Sequence, residues 1–330
     1  MSAATLPPVV AELTRRRFLG GAAAAGLSLG LAACGGADDD TKAAAADATR
    51  TVATPKGRVE VPARPSRVVA INDYALYTML DLGLDPIGIY SAGEQYVPPT
   101  YLDRWRGLPV INDEKVAGEL SVEKILALKP DLIIGIDAQK APYGQLSKIA
   151  PTVLLPFTAS NGAWRPMAKG TAEALGRTED LRALDAKLVQ RAAKVKADHA
   201  DALARWRFDL LQGGFDNGQF WTYGAKSNIG DVLGMTGMAL ARASAAASEQ
   251  QTVSYENLDR LADADVVFYY TNNDGTPANL GPKLFAQKGF KLLEAVKAKR
   301  LIGSVNFLLV SYGTATAALD DLDRGLTRIA

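Results

Sequence analysis

Short apolar runs alternate with amphipathic segments along most of the chain. Residues 57–62 (Gly-Arg-Val-Glu-Val-Pro) alternate polar and apolar and stop at proline, the pattern of a small edge strand. Residues 67–71, 86–90, 131–136 and 153–155 are compact β-branched and aliphatic runs of buried-strand type. Between them, residues 74–82, stopped by Gly83, and residues 122–128 have helical spacing. Residues 166–206 carry no strand signal. There Leu181, Leu184, Leu188, Ala192, Val195, His199, Leu203 and Trp206 recur at steps of three and four and predict one long helix over 180–203. His199 on that stripe reads as a packing residue and not as a ligand. Strands then return at 208–211, 220–223 and 266–270, with an extended segment at 304–309. Helices fall at 228–233 and 290–296, and a last one over 314–326. Strands alternating with helices on both sides of a long helix predict an α/β protein of two Rossmann-like lobes with parallel sheets.

The ends of the chain change this picture. Residues 14–20 (Thr-Arg-Arg-Arg-Phe-Leu-Gly), a run rich in Gly and Ala, and Leu31-Ala32-Ala33-Cys34 form a cationic start, an apolar core and a small-residue cut site. The paired arginines resemble a twin-arginine export signal, and Leu-Ala-Ala-Cys resembles a lipobox whose Cys34 is lipidated. The apolar stretch is shorter than the roughly 20 residues a membrane-spanning helix needs. The expected organisation is therefore a removed signal over 1–33, a lipidated tether over 34–56, an N-terminal lobe over 57–165, a linking region over 166–206 and a C-terminal lobe over 207–330. The protein is placed outside the cytoplasm, anchored to the cell membrane by lipid.

Composition then excludes chemistry. The chain has one Cys and one His. A thiolate or His-rich zinc site and a His-based triad are ruled out, and with Cys34 lipidated no disulfide is possible. The formal net charge of +1 gives no sign of nucleic-acid binding. No spacing of carboxylates singles out a hydrolase pair. Without a free Cys or a second His, an enzyme is not expected.

One element occurs twice. Ser121-Val122-Glu123-Lys124-Ile125-Leu126-Ala127-Leu128 precedes Asp131 and an apolar strand. Ser254-Tyr255-Glu256-Asn257-Leu258-Asp259-Arg260-Leu261 precedes Asp265 and another. Each copy reads as a Ser-capped helix start with an acidic first turn, and together they indicate two lobes of similar build. These residues resemble the substrate-binding proteins of iron-siderophore, haem and cobalamin ABC importers. So do Val59-Glu60-Val61-Pro62 through Val69, Leu128-Lys129-Pro130-Asp131-Leu132-Ile133-Ile134, Ile149-Ala150-Pro151-Thr152-Val153, Ala174-Leu175-Gly176 and Ser311-Tyr312-Gly313-Thr314-Ala315. The resemblance spans nearly all of residues 57–330.

The resemblance implies a monomeric binding protein without a resident cofactor, a ligand between the lobes, an ABC permease as partner, and Glu123 and Glu256 as its docking residues. It also implies only small closure about a single stiff helix. The crevice beyond the carboxyl ends of strands is where open α/β sheets place ligands. Those ends offer Asn72, Asp73 and Tyr74; Tyr90 and Tyr96; Asp137, Gln139 and Tyr143; Phe215, Trp221 and Tyr223; Tyr270, Asn272 and Asn273; and Phe307 and Tyr312. Trp164 and Arg165 precede the long helix. For each aromatic, ordinary core packing is the competing reading. A ferric siderophore brings its iron already chelated, which suits a pocket without His or Cys. Arg165 is the candidate cleft cation and Arg242 the second. So few cations favour a hydroxamate-type complex over a polyanionic catecholate. Haem or cobalamin is the alternative within the family. An extracytoplasmic enzyme or sensor is the remote alternative.

Overall fold

The computed structural model describes residues 48–113, 119–139 and 141–329. The export signal, Cys34 and the tether up to residue 47 lie outside the described residues. The first described element already departs from the expected tether. Strand β1 (Thr49–Thr54) pairs antiparallel with β2 (Gly57–Pro62), from Thr49↔Pro62 to Thr54↔Gly57. Threonine and valine favour extended backbone, and Val52 and Val61 are buried beneath the hairpin. Arg50 fixes it in place: its guanidinium donates to the carbonyls of Glu173 and Ala174, at the end of the helix Trp164–Leu175. A cation there meets the negative end of the helix dipole.

The first lobe holds a four-stranded sheet in the order β4–β3–β5–β6, all parallel. Its strands are β3 (Val68–Ala70), β4 (Gly88–Ile89), β5 (Leu132–Ile136) and β6 (Thr152–Leu155). Both faces are covered by apolar clusters, so the strands read as unbroken hydrophobic runs.

The second lobe's sheet runs β10–β8–β7–β11–β12, with β9 (Ala239–Leu240) beside the start of β7. The expected parallel pattern holds at its centre, where β7 (Arg207–Gly213), β11 (Val266–Tyr270) and β12 (Leu301–Ser304) align. At one margin β8 (Gln219–Tyr223) is antiparallel to both β7 and β10 (Gln250–Ser254). A turn over residues 214–218, with Gly218 at φ +82°, folds β7 directly back into β8. The predicted helix over 290–296 is two short pieces, Lys288–Lys291 and Glu294–Lys297, and beyond Ser304 the chain leaves the sheet.

The duplicated element does the same work in both lobes. Asp131 accepts from the Arg67 amide (3.0 Å) and returns its own amide to the Arg67 carbonyl (3.0 Å). Asp265 does likewise with Arg207, at 2.9 Å in each direction. Each aspartate thereby sets the register of a parallel pair, β3/β5 and β7/β11. Ser121 caps the α-helix Val122–Ala127, accepting from Lys124. Ser254 instead opens a 3₁₀ segment, Tyr255–Leu261, that kinks at Asn257. Glu123 and Glu256 are exposed in both settings.

Between the lobes the chain is helical but not one helix. Trp164–Leu175 ends at Gly176 in the left-handed region (φ +68°), followed by Thr178–Asp198 and Ala200–Arg205. The predicted continuous helix over 180–203 breaks at His199 (φ −122°, ψ 28°). The reason lies across the interface: His199 Nε2 and Asp323 Oδ1 are 2.6 Å apart, and Arg191 donates to both Asp320 and Asp323 at 2.6 Å. These contacts fasten the linker to the closing helix Tyr312–Ile329. The helix Trp164–Leu175 belongs to both cores. Trp164, Ala168 and Ala172 face the second lobe, and Met167, Ala174 and Leu175 the first.

A second fastening joins the closing helix to the first lobe. Asp81 Oδ2 accepts from the Gly313 amide (2.9 Å) and Oδ1 from the Tyr101 hydroxyl (2.5 Å), which lies 2.7 Å from Ser311 Oγ. A Cβ at Gly313 would overlap both the Tyr101 hydroxyl and the Asp81 carboxylate. Gly313→Ala is therefore expected to lower stability by about 1–3 kcal/mol through overpacking. Gly234→Ala, where a Cβ meets nothing, serves as the control. Urea denaturation of the two variants checks this; equal midpoints would contradict it.

Candidate functional site

A cavity of ≈ 780 Å³ lies between the lobes. Parallel strands bring their carboxyl ends to one edge of the first sheet, and that edge forms one wall. Ile71, Asn72, Asp73 and Tyr74 follow β3, Tyr90 follows β4, Ile136 and Gln139 follow β5, and Phe157 follows β6. Several of these side chains are already engaged. Asn72 Oδ1 caps the helix Asp73–Asp81, accepting from Ala75 at 3.0 Å. Gln139 Nε2 donates to the Ile71 carbonyl (2.7 Å), while its Oε1 is buried without a partner among the described residues. Tyr74 packs its ring 5.7 Å from Phe157 and donates to the Gly162 carbonyl (3.3 Å).

The opposite wall comes from Tyr223 at the end of β8, residues 226–229 after it, Glu249 and Gln250 leading into β10, and residues 307–310 after β12. Tyr223 is held rigidly. Its hydroxyl donates to Gln212 Oε1 (2.6 Å), burial pushes its ionisation up, and its ring meets Phe307 edge-on at 5.0 Å. Polar contacts cross from wall to wall. Asn228 Nδ2 donates to the Gly162 carbonyl (3.1 Å) and its Oδ1 accepts from the Trp164 amide (3.3 Å). Asn161 donates to Glu249, and Asn273 Nδ2 donates to the Val97 carbonyl (3.3 Å).

The lining is aromatic, amide and hydroxyl-rich, and weakly acidic. Among the described residues that line it, Lys226 is the one cation, against the carboxyl groups of Asp73 and Glu249. Burial raises Asp73 to about 6, and no cation offsets the shift. Among the described residues no three His, Cys, Asp or Glu side chains converge as a metal site.

Of the positions read from strand ends, the structure brings Asn72, Asp73, Tyr74, Tyr90, Gln139, Tyr223 and Phe307 to this cavity. The others stand outside its lining. Both candidate cations are engaged elsewhere. Arg165 donates to Asp185 (2.8 Å) and Asp231 (3.1 Å) with its guanidinium over Trp164, and exposed Arg242 lies 3.6 Å from Asp263. Trp164 is buried and meets Tyr312 edge-on at 4.8 Å, and Tyr312 donates to Asp185 (3.0 Å). Asp137 is used by Thr158, whose amide and hydroxyl both donate to it. Tyr143 starts a helix, and Asn272 closes a turn with Thr276. Exposed Phe215 packs on Trp221 (5.1 Å), Tyr270 packs beside Phe307 (6.1 Å), and Tyr96 is exposed.

Of the second-lobe wall, Tyr223 and Phe307 were expected from the sequence, whereas residues 226–229, 249–250 and 308–310 were not. The carboxyl-end rule applies to parallel strands. Because β8 runs antiparallel to β7, the rule gives no guide to the segment 226–229 that follows it. The signal was present in Gly213-Gly214-Phe215-Asp216-Asn217-Gly218, a turn too short for a crossover between parallel strands.

Comparison with known proteins agrees with this geometry. Residues 114–304 match the model of a family described as periplasmic binding protein. The chain is 30% identical over 218 residues to the ferric-anguibactin-binding protein FatB of Vibrio anguillarum; the match spans 64% of this chain and 65% of FatB. It is 24% identical over 258 residues to the iron(3+)-hydroxamate-binding protein YxeB of Bacillus subtilis, covering 76% of each. A solved siderophore periplasmic binding protein from the fuscachelin gene cluster of Thermobifida fusca superposes with a TM-score of 0.65 at 26% identity. That superposition covers 81% of this chain and 98% of the other. With its two sheets, its helical linker and its interlobe cavity, the chain belongs to the periplasmic binding protein family.

Proposed function

We propose that this protein captures a ferric siderophore of the hydroxamate class in the interlobe cavity and delivers it to an ABC permease. Cys34 lipidation would hold it outside the cytoplasm at the membrane. The observation that carries the reading is the cavity itself. It is large enough for a chelate, shared by both lobes, and walled by Tyr74, Tyr90, Phe157, Tyr223 and Phe307 with amide and hydroxyl groups between them. Such surfaces hold a bulky, partly apolar complex by contact area, with a few polar groups to orient it. The iron arrives fully chelated, so the protein needs neither metal ligands nor a cofactor, and its role is binding, not catalysis.

Charge narrows the class. A tris-catecholate complex is strongly anionic and calls for converging arginines. Here Arg165 and Arg242 are paired with aspartates outside the cavity, and among the described lining residues one cation, Lys226, stands against two acids, Asp73 and Glu249. A neutral or weakly charged hydroxamate complex fits that balance. YxeB, an iron(3+)-hydroxamate-binding protein, supports the hydroxamate class, and FatB, a ferric-anguibactin-binding protein, supports an iron chelate as ligand.

Intrinsic-fluorescence titration against ferric trihydroxamates and ferric tricatecholates tests the class. Affinity at least about tenfold tighter for hydroxamates, a difference of about 1.4 kcal/mol, is expected. Tight catecholate binding with none for hydroxamates would overturn the assignment. Glu123 and Glu256 stand exposed, one on each lobe at corresponding positions of the duplicated element. Replacing both with Ala is expected to leave the titration unchanged and to abolish uptake of radioactive iron chelate by cells. Lost binding in a folded double variant would contradict a docking role.

A further inference from the structure

Asp73 lines more than the main cavity. The same residue also lines a recess of ≈ 10 Å³ whose walls include Tyr77, Tyr96 and Trp105. A space of this size admits one water-sized group. Asp73 shares it with three aromatic rings, and its carboxyl group makes no hydrogen bond or ion pair with any described residue. Burial raises Asp73 to about 6, so at neutral pH a carboxylate stands there without a cation to offset its desolvation. Its helix does not need that charge as a cap, because Asn72 already supplies the side-chain cap.

A half-buried carboxylate that shares a small recess with aromatic rings is complementary to one kind of group: a small cation that donates hydrogen bonds. A primary ammonium is the size of the recess and carries three donors. A guanidinium is too large for it, and a second carboxylate would be repelled. We infer that Asp73, with Tyr77, Tyr96 and Trp105, is a specificity subsite for a primary ammonium group on an arm of the iron chelate. The chelated iron itself occupies the main cavity. This rests on the ferric-hydroxamate reading and adds to it a charge preference that contact area alone does not supply.

The test is calorimetric titration of the full chain with two ferric trihydroxamates of identical iron coordination. One ends in a free primary amine, and the other is its N-acetyl derivative. The amine form is expected to bind about ten- to a hundredfold tighter, the range of a hydrogen bond to a charged group. In Asp73→Asn the two chelates are expected to bind alike, with folding checked by circular dichroism. If that variant does not fold, the wild-type comparison decides alone. Equal affinities in the wild type would overturn the subsite and leave the hydroxamate reading standing. Binding of neither chelate would overturn both.

Discussion

The interlobe cavity depends on a half-buried carboxylate. Asp81 belongs to the first lobe, yet its two oxygens serve the junction with the second. One takes the Gly313 amide in the first turn of the closing helix, and the other takes the Tyr101 hydroxyl. An anion at a helix start meets the positive end of the helix dipole, and two donated hydrogen bonds offset the cost of burying it. Burial still raises the ionisation of Asp81, so the group is held there at a cost. Gly313 is the complementary requirement, since only a residue without a side chain lets the helix approach so closely.

A set of cross-lobe contacts shapes the cavity from that pin. Asn228 reaches back to Gly162 and Trp164, Asn161 reaches Glu249, and the helix Trp164–Leu175 contributes to both apolar cores. The long helix Thr178–Asp198 is tied by Arg191 to Asp320 and Asp323 of the closing helix, with His199 at the break. Three helices therefore share the junction, which favours limited movement of the lobes over wide hinge opening. The same network takes Arg165 away from the ligand, through Asp185 and Asp231. What remains facing the cavity among the described residues is aromatic and aliphatic side chains, amides, serines, one lysine and two acids.

Much of this was legible in the chain. Strand runs such as residues 131–136 are apolar throughout because both faces of their sheet are covered, and the duplicated Ser-x-Glu element marked the two lobes. The first-lobe wall followed from strand direction alone, which is why Asn72, Tyr74 and Tyr90 were found. Three features were not legible. Arg165 looked like a free cation because its partners lie 20 and 66 residues away in sequence. The helix break at His199 is set by Asp323, 124 residues distant. The placing of residues 226–229 in the second-lobe wall turned on whether β8 runs with or against β7, which periodicity does not encode and only the short turn after β7 marks. Hydrophobic pattern reports which residues are buried; it does not report which polar group has been claimed by a distant partner.

The central claim is that one ligand is held by both lobes at once. Hydrogen exchange of the full chain, with and without a ferric trihydroxamate, tests it most directly. Slowed exchange is predicted in the amides of residues 72–76 of the first lobe and 227–230 of the second. Protection confined to one lobe, or found only away from the cavity, would contradict the account.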